Sequence, residues 1–316
     1  MGIIDVVELR KYFPVKKGAF AGRDWLRAVD GVDFSIMEGT VFSLVGESGS
    51  GKSTVARLIL RLVLPTTGKI FFQGADIQTL KNKSLEKFRK SVQIIFQDPF
   101  SSLNPRMTVF DTVSEPLKIH KIANKSELKD KAVSLLKGVG LRPDILNRYP
   151  HEFSGGQRQR ICIARALSVS PKVRVADEPL SALDVSIQAQ ILNILQELQK
   201  KSNISFLFIS HDLRVVQYFS DEIAVMYLGK IVEHAKTDEL FSNPLHPYTI
   251  ELLSSAPKIK PDGRKREILK GDVPSPIDIP LGCPFHTRCP KKFDLCDKVI
   301  PELRKIKGRL ISCHLF

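Results

Sequence analysis

The chain has 316 residues, of which 43% are hydrophobic, so it is long enough for more than one domain around a sizeable core. No stretch of 18 consecutive apolar residues occurs, which excludes a membrane-spanning helix, and the first residues lack the pattern of a signal peptide. We therefore expect a soluble, cytoplasmic protein whose thiols stay reduced. The net charge of +14 favours an acidic partner, whether nucleic acid, an anionic membrane surface or a metal–thiolate cluster. Ordinary solvated surface charge is the alternative, and the charge alone does not decide between them.

A glycine-rich loop between a strand and a helix is the first informative segment. The apolar run Val41–Val45 predicts a buried parallel strand, and helical periodicity begins at Val55. The loop between them would turn its amides toward a phosphate, with Lys52 reaching the β- and γ-phosphates and the Ser53 hydroxyl binding Mg²⁺. The other nucleotide contacts predicted here are Gly46, Ser48, Gly49, Ser50, Gly51 and Thr54. A chance match is the alternative, but the flanking strand and helix favour a nucleotide site.

A second glycine pair precedes another predicted helix further along the chain. The sequence Ser-Gly-Gly-Gln at Ser154–Gln157 comes before apolar residues at helical spacing, so its amides would also suit an anion. A head-to-tail dimer would place nucleotide between the loop of one subunit and this segment of the other. The segment consists of Ser154, Gly155, Gly156 and Gln157. A glycine-hinged helix start without a ligand is the alternative.

Acidic and histidine side chains follow two further apolar runs. Val173–Ala176 predicts a strand leading to Asp177 and Glu178, which could supply a carboxylate for Mg²⁺ and one that polarises the attacking water. Asp184 closes the Ser-Ala-Leu-Asp segment that follows at once. A second strand, predicted to end at His211, would place that side chain near a γ-phosphate. An acidic turn and an ordinary strand-end histidine are the alternatives, which the order and spacing of these segments disfavour.

In these segments the sequence resembles the ATP-hydrolysing subunits of ABC transporters. The matching motifs are the Walker A loop Gly46–Thr54, the Q-loop Gln97, the signature Ser154–Gln157, the Walker B strand Val173–Asp177 with Glu178, the D-loop Ser181–Asp184 and the switch His211. The resemblance implies an α/β fold, with a RecA-like P-loop ATPase core, an antiparallel β subdomain and a helical subdomain inserted at about residues 98–169. It also implies an active ATPase, because every catalytic position is occupied.

The same resemblance implies roles for individual side chains. Glu178 would activate water, His211 would sense the γ-phosphate, and Lys52 with Mg²⁺ would offset the phosphate charge. The implied Mg²⁺ ligands are Ser53, Gln97 and Asp177. The Q-loop would also link the active site to the helical subdomain, and the signature and the D-loop Asp184 would contact nucleotide. Phe13 would stack on adenine, with its neighbour Tyr12 as the second choice.

Two positions depart from the family pattern. Phe153 stands where leucine is commoner, which matters little because backbone amides bind the nucleotide. Arg174 lies inside the Walker B strand, where the pattern is apolar, and an unpaired charge buried there would cost several kcal/mol. We therefore expect Arg174 to extend to an edge or to pair with a carboxylate.

The C-terminal part indicates a branch of this family. The segment NPLHPYT within Asp238–Lys258 and the tail CPFHTRCP resemble the peptide and nickel uptake branch. The segment QIIFQDPFSSLNPRMTV is most similar to the second ATPase subunit of oligopeptide or dipeptide importers. Between NPLHPYT and CPFHTRCP, the Pro-rich stretch Asp272–Pro280 predicts an extended linker, because proline disfavours helices and central strands. We expect a nucleotide-binding domain at residues 1–240 and a C-terminal extension of the oligopeptide-transporter type at residues 241–316.

Four of the five cysteines lie in this tail, at Cys283, Cys289, Cys296 and Cys313. Four thiolates could enclose a metal centre that holds a small segment folded. Zinc sites usually have closer cysteine pairs, whereas iron–sulfur sites tolerate varied spacing, and the resemblance implies a [4Fe-4S] cluster. Zinc, free thiols and an adventitious disulfide remain open. Cys162, in a predicted apolar helix, is expected to be a buried small hydrophobe.

The resemblance implies ATP-driven import of oligopeptides or dipeptides at the cytoplasmic face of the membrane, with nickel or another solute as alternative cargo. The implied partners are two transmembrane permease subunits, a paralogous ATPase subunit and, indirectly, an extracytoplasmic solute-binding protein. The rival is a soluble ABC ATPase acting on nucleic acid or ribosomes. The net charge permits it, but we find no aromatic residues interleaved with basic ones as a stacking platform, so no nucleic-acid partner is expected. The catalytic residues disfavour a scaffold that binds ATP without hydrolysis.

Overall fold

The structure, a computed structural model, describes residues 1–17, 21–255 and 272–316. Its strands are β1 (Ile4–Lys17), β2 (Ala21–Ile36), β3 (Val41–Val45), β4 (Thr67–Phe72), β5 (Ala75–Asp76), β6 (Val92–Ile95), β7 (Val173–Asp177), β8 (Ser205–Ile209), β9 (Glu222–Tyr227), β10 (Lys230–Lys236), β11 (Arg304–Ile306) and β12 (Arg309–Ile311). Its α-helices are α1 (Lys52–Ile59), α2 (Asn82–Ser91), α3 (Pro99–Ser102), α4 (Val109–Ile119), α5 (Leu128–Gly138), α6 (Gly155–Leu167), α7 (Val185–Ser202), α8 (Leu213–Phe219), α9 (Thr237–Ser242) and α10 (Pro247–Ser255). Short 3₁₀ helices lie at Pro143–Ile145 and Pro150–Glu152. Residues 256–271 of the predicted C-terminal extension lie outside the described residues.

The chain divides into two compact units. The first comprises Met1–Ile36, Val41–Gln78 and Ser210–Phe316, and the second comprises Met37–Thr40 and Thr79–Ile209. The C-terminal segment therefore shares a unit with the glycine-rich loop. The predicted domain boundary at residue 240 stays a prediction.

The first unit contains an antiparallel and a mixed arrangement of strands. In the antiparallel sheet the order is β2-β1-β4-β5, with Ile4 between Ile36 and Phe72. In the mixed arrangement β3 pairs in parallel with β9, and β10, β12 and β11 follow as antiparallel neighbours. All residues of β3 are buried, as expected for a strand covered on both faces. The predicted strand Val41–Val45 is confirmed.

The second unit combines parallel strands with a group of helices. β6, β7 and β8 are parallel neighbours, with Val92 opposite Val173 and Asp177 opposite Ile209. Between β6 and β7 along the chain, α4, α5 and α6 pack against one another. Their apolar faces are buried, as Val113, Leu117, Leu136 and Ile163 show. The limits of the predicted helical subdomain, residues 98–169, stay a prediction.

The C-terminal segment packs through an aromatic cluster. Asp272–Pro280 contains neither helix nor strand, as its prolines predict. Phe285 is 1% exposed, with its ring centroid 5.3 Å from that of Tyr227 and 5.4 Å from that of Tyr248. The hairpin of β11 and β12 then extends β10. In the part of the chain that the structure describes, no helix is both long and apolar enough to cross a bilayer.

Candidate nucleotide-binding site

The glycine-rich loop connects β3 to α1 in the first unit. Its backbone has positive φ at Gly46, Gly49 and Gly51, with values of 147°, 81° and 106°. A Cβ atom at Gly46 would lie 2.2 Å from the carbonyl oxygen of Met226, and one at Gly51 would lie 2.1 Å from that of Ala28. Any side chain there would meet backbone, so only glycine fits. The path of the loop therefore requires the two outer glycines of the motif.

Lys52 begins α1 and folds back over the loop. Its ammonium donates to the carbonyl oxygens of Gly46 (2.8 Å) and Glu47 (2.9 Å) and to the Ser50 hydroxyl (3.2 Å). The residue is only 4% exposed. The first turn of α1 has no side-chain cap and no acidic residue. A buried ammonium at an uncapped helix start creates a positive setting that suits an anion such as a phosphate.

Glu47, directly after Gly46, contacts the C-terminal part of the chain. Its backbone N–H donates to the hydroxyl of Tyr248 in α10, at 2.9 Å. Its carboxylate accepts hydrogen bonds from both terminal nitrogens of Arg288, at 2.7 and 3.0 Å, and this pairing raises the pKa of Arg288. The sequence analysis did not predict these residues as part of the site. The available signal was that Tyr248 and Arg288 lie inside the branch-specific segments NPLHPYT and CPFHTRCP.

The other predicted residues near the start of α1 differ in exposure. Ser48 is exposed, whereas Ser53 and Thr54 are half-buried in the first turn of the helix. His211 is exposed. β8 ends at Ile209, earlier than predicted, and Asp212 already caps α8 by accepting a hydrogen bond from the Arg214 amide at 2.9 Å.

Tyr12 and Phe13, the two candidates for adenine stacking, are neighbours on β1 with different surroundings. The Tyr12 hydroxyl donates to the Asp30 carboxylate at 2.5 Å, and burial together with this bond raises the pKa of Tyr12 to about 12. The ring of Phe13 is half-buried and lies 5.0 Å from the ammonium of Lys11. Because Tyr12 is anchored to a carboxylate, Phe13 stays the first candidate.

The second unit brings Gln97 and Glu178 together. They follow β6 and β7, whose carboxyl ends share one edge, and the Gln97 amide donates to the Glu178 carboxylate at 3.2 Å. Glu178 has φ 47°, which is uncommon for a residue with a side chain. Its amide donates to Ile209 (2.9 Å), and its carbonyl oxygen accepts from the Ser181 amide (3.3 Å) and hydroxyl (3.1 Å). These bonds hold the strained backbone and thereby aim the carboxylate. Asp177, at the end of β7, is half-buried.

The signature segment forms the start of α6. The Ser154 hydroxyl accepts from the Gln157 amide (3.4 Å), and the Gln157 side-chain oxygen accepts from the Ser154 amide (3.1 Å). This reciprocal capping occupies the Gln157 amide within the helix start. The predicted anion contact of this segment would therefore rest on Gly155 and Gly156. A Cβ atom at Gly156 would lie 2.5 Å from the Ile187 side chain, which explains this glycine.

Asp184 and Gln159 fix the segment after Glu178. Asp184 caps α7 by accepting from the Ile187 amide (3.0 Å) and the Ser186 hydroxyl (2.8 Å), and these bonds lower its pKa. Gln159 is fully buried on the apolar face of α6, and its amide donates to the carbonyl oxygen of Pro179 at 2.7 Å. The sequence analysis did not predict a role for Gln159. The available signal was that a polar residue stands at a helical position where the pattern is apolar.

The expectation for Arg174 was wrong: its side chain neither extends to an edge of the sheet nor pairs with a carboxylate among the described residues. The residue is 0% exposed, and none of its guanidinium nitrogens has a hydrogen-bond partner among the described residues. Strands β6 and β8 flank β7 on both sides, so no edge is within reach. The guanidinium lies 5.8 Å from the ring centroid of Phe206 on β8, and burial lowers its pKa to about 9.

The cysteines of the tail line one pocket together with His246, His286 and Lys291. They are Cys283, Cys289, Cys296 and Cys313. Burial raises the pKa of Cys283 to about 11 and also raises the pKa of Cys289 and Cys313. No group of three or more His, Cys, Asp or Glu residues within the described ranges is arranged to hold a metal ion. Cys162 is buried in α6, as predicted.

Known families match two parts of the chain, and known relatives match nearly the whole of it. The ABC transporter family matches residues 29–181, and the family described as "Oligopeptide/dipeptide transporter, C-terminal region" matches residues 232–296. The oligopeptide transport ATP-binding protein AppF of Bacillus subtilis (strain 168) is 50% identical, over 99% of this chain and 97% of the relative. The dipeptide transport ATP-binding protein DppF of Escherichia coli (strain K12) is 46% identical, over 98% of this chain and 93% of the relative.

Solved ATP-binding cassettes share this fold. One is MJ0796, a dimer in a post-hydrolysis state bound to ADP and Pi, with a TM-score of 0.66 and 28% identity over 74% of this chain and 98% of that one. Another is cbiO1 of Clostridium perfringens, part of the transporter complex cbiONQ, with a TM-score of 0.66 and 28% identity over 77% of this chain and 91% of that one. This chain therefore belongs to the ABC transporter ATPases, in the group that carries the C-terminal region of oligopeptide and dipeptide transporters.

Proposed function

We propose that this chain is the ATP-hydrolysing subunit that powers import of oligopeptides or dipeptides at the cytoplasmic face of the membrane. The observation that best supports ATP hydrolysis is the pair of Gln97 and Glu178. The Glu178 carboxylate lies at the end of a parallel strand, where the Gln97 amide and the hydrogen bonds of its own backbone hold it in place to act on water. The peptide cargo is supported by the relatives, which are named for oligopeptide and dipeptide transport, and by the matching C-terminal region. No observation favours nucleic acid or nickel.

In this proposal each motif acts on one part of MgATP. The amides of the glycine-rich loop and the Lys52 ammonium bind the phosphates, Glu178 polarises the attacking water, and His211 senses the γ-phosphate. Mg²⁺ prefers oxygen ligands, and the candidates for them are Ser53, Gln97 and Asp177. Phe13 stacks on adenine. The signature and Asp184 contact the nucleotide of a second ATPase subunit.

The organisation of the chain follows from these roles. Residues 1–240 form the nucleotide-binding domain, with a helical subdomain at about residues 98–169 that contacts two transmembrane permease subunits. Residues 241–316 form a cysteine-containing C-terminal extension. A paralogous ATPase subunit completes the pair, and an extracytoplasmic solute-binding protein delivers the cargo.

Cargo-stimulated turnover tests this function. We expect that the transporter assembled in vesicles from this chain, its ATPase partner, the permease subunits and the solute-binding protein hydrolyses ATP faster when peptide is added outside. Peptide-loaded binding protein changes the state of the permease, and the ATPase pair responds to that change. Stimulation by a nickel complex but not by peptide would contradict the cargo, and stimulation by nucleic acid without the permease would contradict the transporter role.

We further propose that the tail cysteines hold a [4Fe-4S] cluster. All four cysteines line the same pocket, although no three of them are arranged as metal ligands within the described residues. A [4Fe-4S] cluster would take one thiolate per iron. When bound, such a cluster would supply structural cross-linking to a segment with little apolar bulk. Burial raises the pKa of Cys283, Cys289 and Cys313 and favours their neutral thiols, so metal binding would displace protons and should weaken as the pH falls.

Metal analysis of anaerobically purified protein tests the cluster. We expect about four irons and four sulfides per chain, with a broad absorbance band near 400 nm. Cys289→Ser should lower both contents, because it removes one of the thiols that line the pocket. Cys162→Ser is the matched control and should leave them unchanged, because Cys162 is buried in α6. One zinc per chain, or no metal, would contradict the cluster and leave the ATPase function intact.

A further inference from the structure

Glu47 joins the phosphate-binding loop to the C-terminal segment through its amide and its carboxylate. Its N–H and its carboxylate bond to Tyr248 and Arg288, and its carbonyl oxygen accepts a hydrogen bond from the Lys52 ammonium. Lys52 is the residue expected to reach the phosphates. A change in the position of Glu47 would therefore displace the Lys52 ammonium.

Arg288 is held firmly on its own side of this contact. Its side chain is 4% exposed, compared with 25% for that of Glu47. One terminal nitrogen lies 3.4 Å from the Tyr227 hydroxyl, and its backbone amide donates to the carbonyl oxygen of Phe285 at 3.0 Å. Phe285 is buried in the aromatic cluster. A bidentate guanidinium on a buried stem of this kind constrains its more exposed carboxylate partner.

We propose that Arg288 is a positioning residue for the phosphate-binding loop: it neutralises and orients the Glu47 carboxylate, so that nucleotide affinity depends on the packing of the C-terminal segment. This inference rests on the proposed binding of ATP by the loop. It extends that function by giving the tail a role at the nucleotide that requires no metal centre.

An unpaired carboxylate at this position would oppose nucleotide binding in two ways. ATP brings several negative charges to the loop, and repulsion between like charges is strong where burial lowers the effective dielectric. A carboxylate released by Arg288 could also turn toward the nearby Lys52 ammonium and compete with the phosphates for it. The ion pair removes both effects, because the guanidinium matches the carboxylate in charge and geometry.

Variants of the full chain separate this role from a simple contribution to folding. Arg288→Met removes the guanidinium. Glu47→Asp shortens the side chain of the loop residue, so that its carboxylate no longer reaches both terminal nitrogens of Arg288. Arg288→Met leaves a charged carboxylate without its guanidinium, and Glu47→Asp leaves one without the two-point contact. We expect Arg288→Met to weaken MgATP binding about tenfold and Glu47→Asp to weaken it in the same direction, by about fivefold. Glu47→Gln and the double variant Arg288→Met with Glu47→Gln carry no such charge. We expect both to bind MgATP within about threefold of the unmodified chain.

Calorimetry of the full chain with MgATP measures these affinities at low and high salt. The weakening in Arg288→Met and Glu47→Asp should shrink at high salt, because ions screen the repulsion. Arg309→Met is the matched control: Arg309 is a buried arginine of the same segment that donates to the Asn243 carbonyl oxygen at 2.6 Å and lies 3.7 Å from Glu233. It does not bond to the loop, so its replacement should change MgATP affinity less than about twofold.

The outcomes distinguish the possibilities. The proposal is overturned if the double variant binds MgATP as weakly as Arg288→Met, because the loss would then reflect the fold of the tail, or if Glu47→Asp binds as tightly as the unmodified chain. If Arg288→Met does not fold, the comparison of Glu47→Asp with Glu47→Gln decides, since neither alters the tail. Failure of the unmodified chain to bind MgATP would instead contradict the proposed function.

Discussion

Replacing Glu178 by glutamine should lower ATP turnover by about a thousandfold while MgATP affinity stays within about twofold of the unmodified chain. Glutamine has the same length as glutamate, and its side-chain oxygen can still accept the hydrogen bond from Gln97. It cannot take a proton or carry the negative charge that polarises the attacking water. The chemical step therefore loses its base, whereas the phosphate-binding loop is unchanged.

The backbone of residue 178 should keep its conformation in the Glu178→Gln variant. Glu178 has φ 47° and is bonded through its amide to Ile209 and through its carbonyl oxygen to Ser181. These backbone bonds do not depend on the side chain, so glutamine should occupy the same place. With hydrolysis blocked and binding intact, the ATPase pair should accumulate in its closed, nucleotide-bound form.

Phosphate release by the assembled ATPase pair and binding of a fluorescent ATP analogue measure the two effects. Glu197→Gln is the control, because Glu197 is exposed on α7 and pairs with Lys201 at 3.1 Å. An exposed pair of this kind contributes little, so turnover should not change. Near-normal turnover in Glu178→Gln would contradict the role assigned to Glu178.

Replacing Arg174 by methionine should raise the free energy of unfolding by about 2 kcal/mol. Arg174 is fully buried, and its guanidinium has no hydrogen-bond partner among the described residues. Methionine has a similar length and an apolar, adaptable side chain, so it can fill the same space beside Phe206 without an unpaired charge. Denaturant unfolding of the nucleotide-free chain measures the gain, and hydrogen exchange of the β7 amides shows where it arises.

The pH dependence of this gain has a defined sign. The pKa of Arg174 is about 9 in the folded chain, below its ordinary value of 12.5. Below pH 9 the guanidinium is protonated in both the folded and the unfolded chain, so the full penalty of burial acts. Above it, the folded chain has released a proton that the unfolded chain retains, and stability rises with pH. The advantage of Arg174→Met should therefore narrow as the pH rises through about 9.

Arg165→Met provides the contrast. Arg165 is half-buried on α6, and its guanidinium donates to the carbonyl oxygen of Ser102 at 2.7 Å. Its replacement leaves that carbonyl without its charged donor and should lower stability by about 1 kcal/mol. A loss of stability in both variants would show that Arg174 has a partner in solution and would contradict its assignment as an unpaired buried charge.

The local elements of the fold could be predicted from the sequence because each depends on residues close together in the chain. The apolar run Val41–Val45 is a buried strand, and Ser154 begins a helix. The glycines at positions 46 and 51 are required by the path of one short loop. Periodicity, helix capping and the conformational freedom of glycine act within a few residues, so a linear pattern contains them.

Contacts between distant parts of the chain were decided only by the tertiary structure. Glu47 and Arg288 are 241 positions apart, and no spacing rule relates them, because their approach depends on how the C-terminal segment packs within the first unit. The surroundings of Arg174 were also decided only by the tertiary structure. A charge within an apolar strand predicts a partner, but β6 and β8 flank β7 on both sides and the guanidinium lies beside Phe206 instead. A sequence specifies which groups a chain carries, but burial and pairing of charges depend on every segment that packs around them.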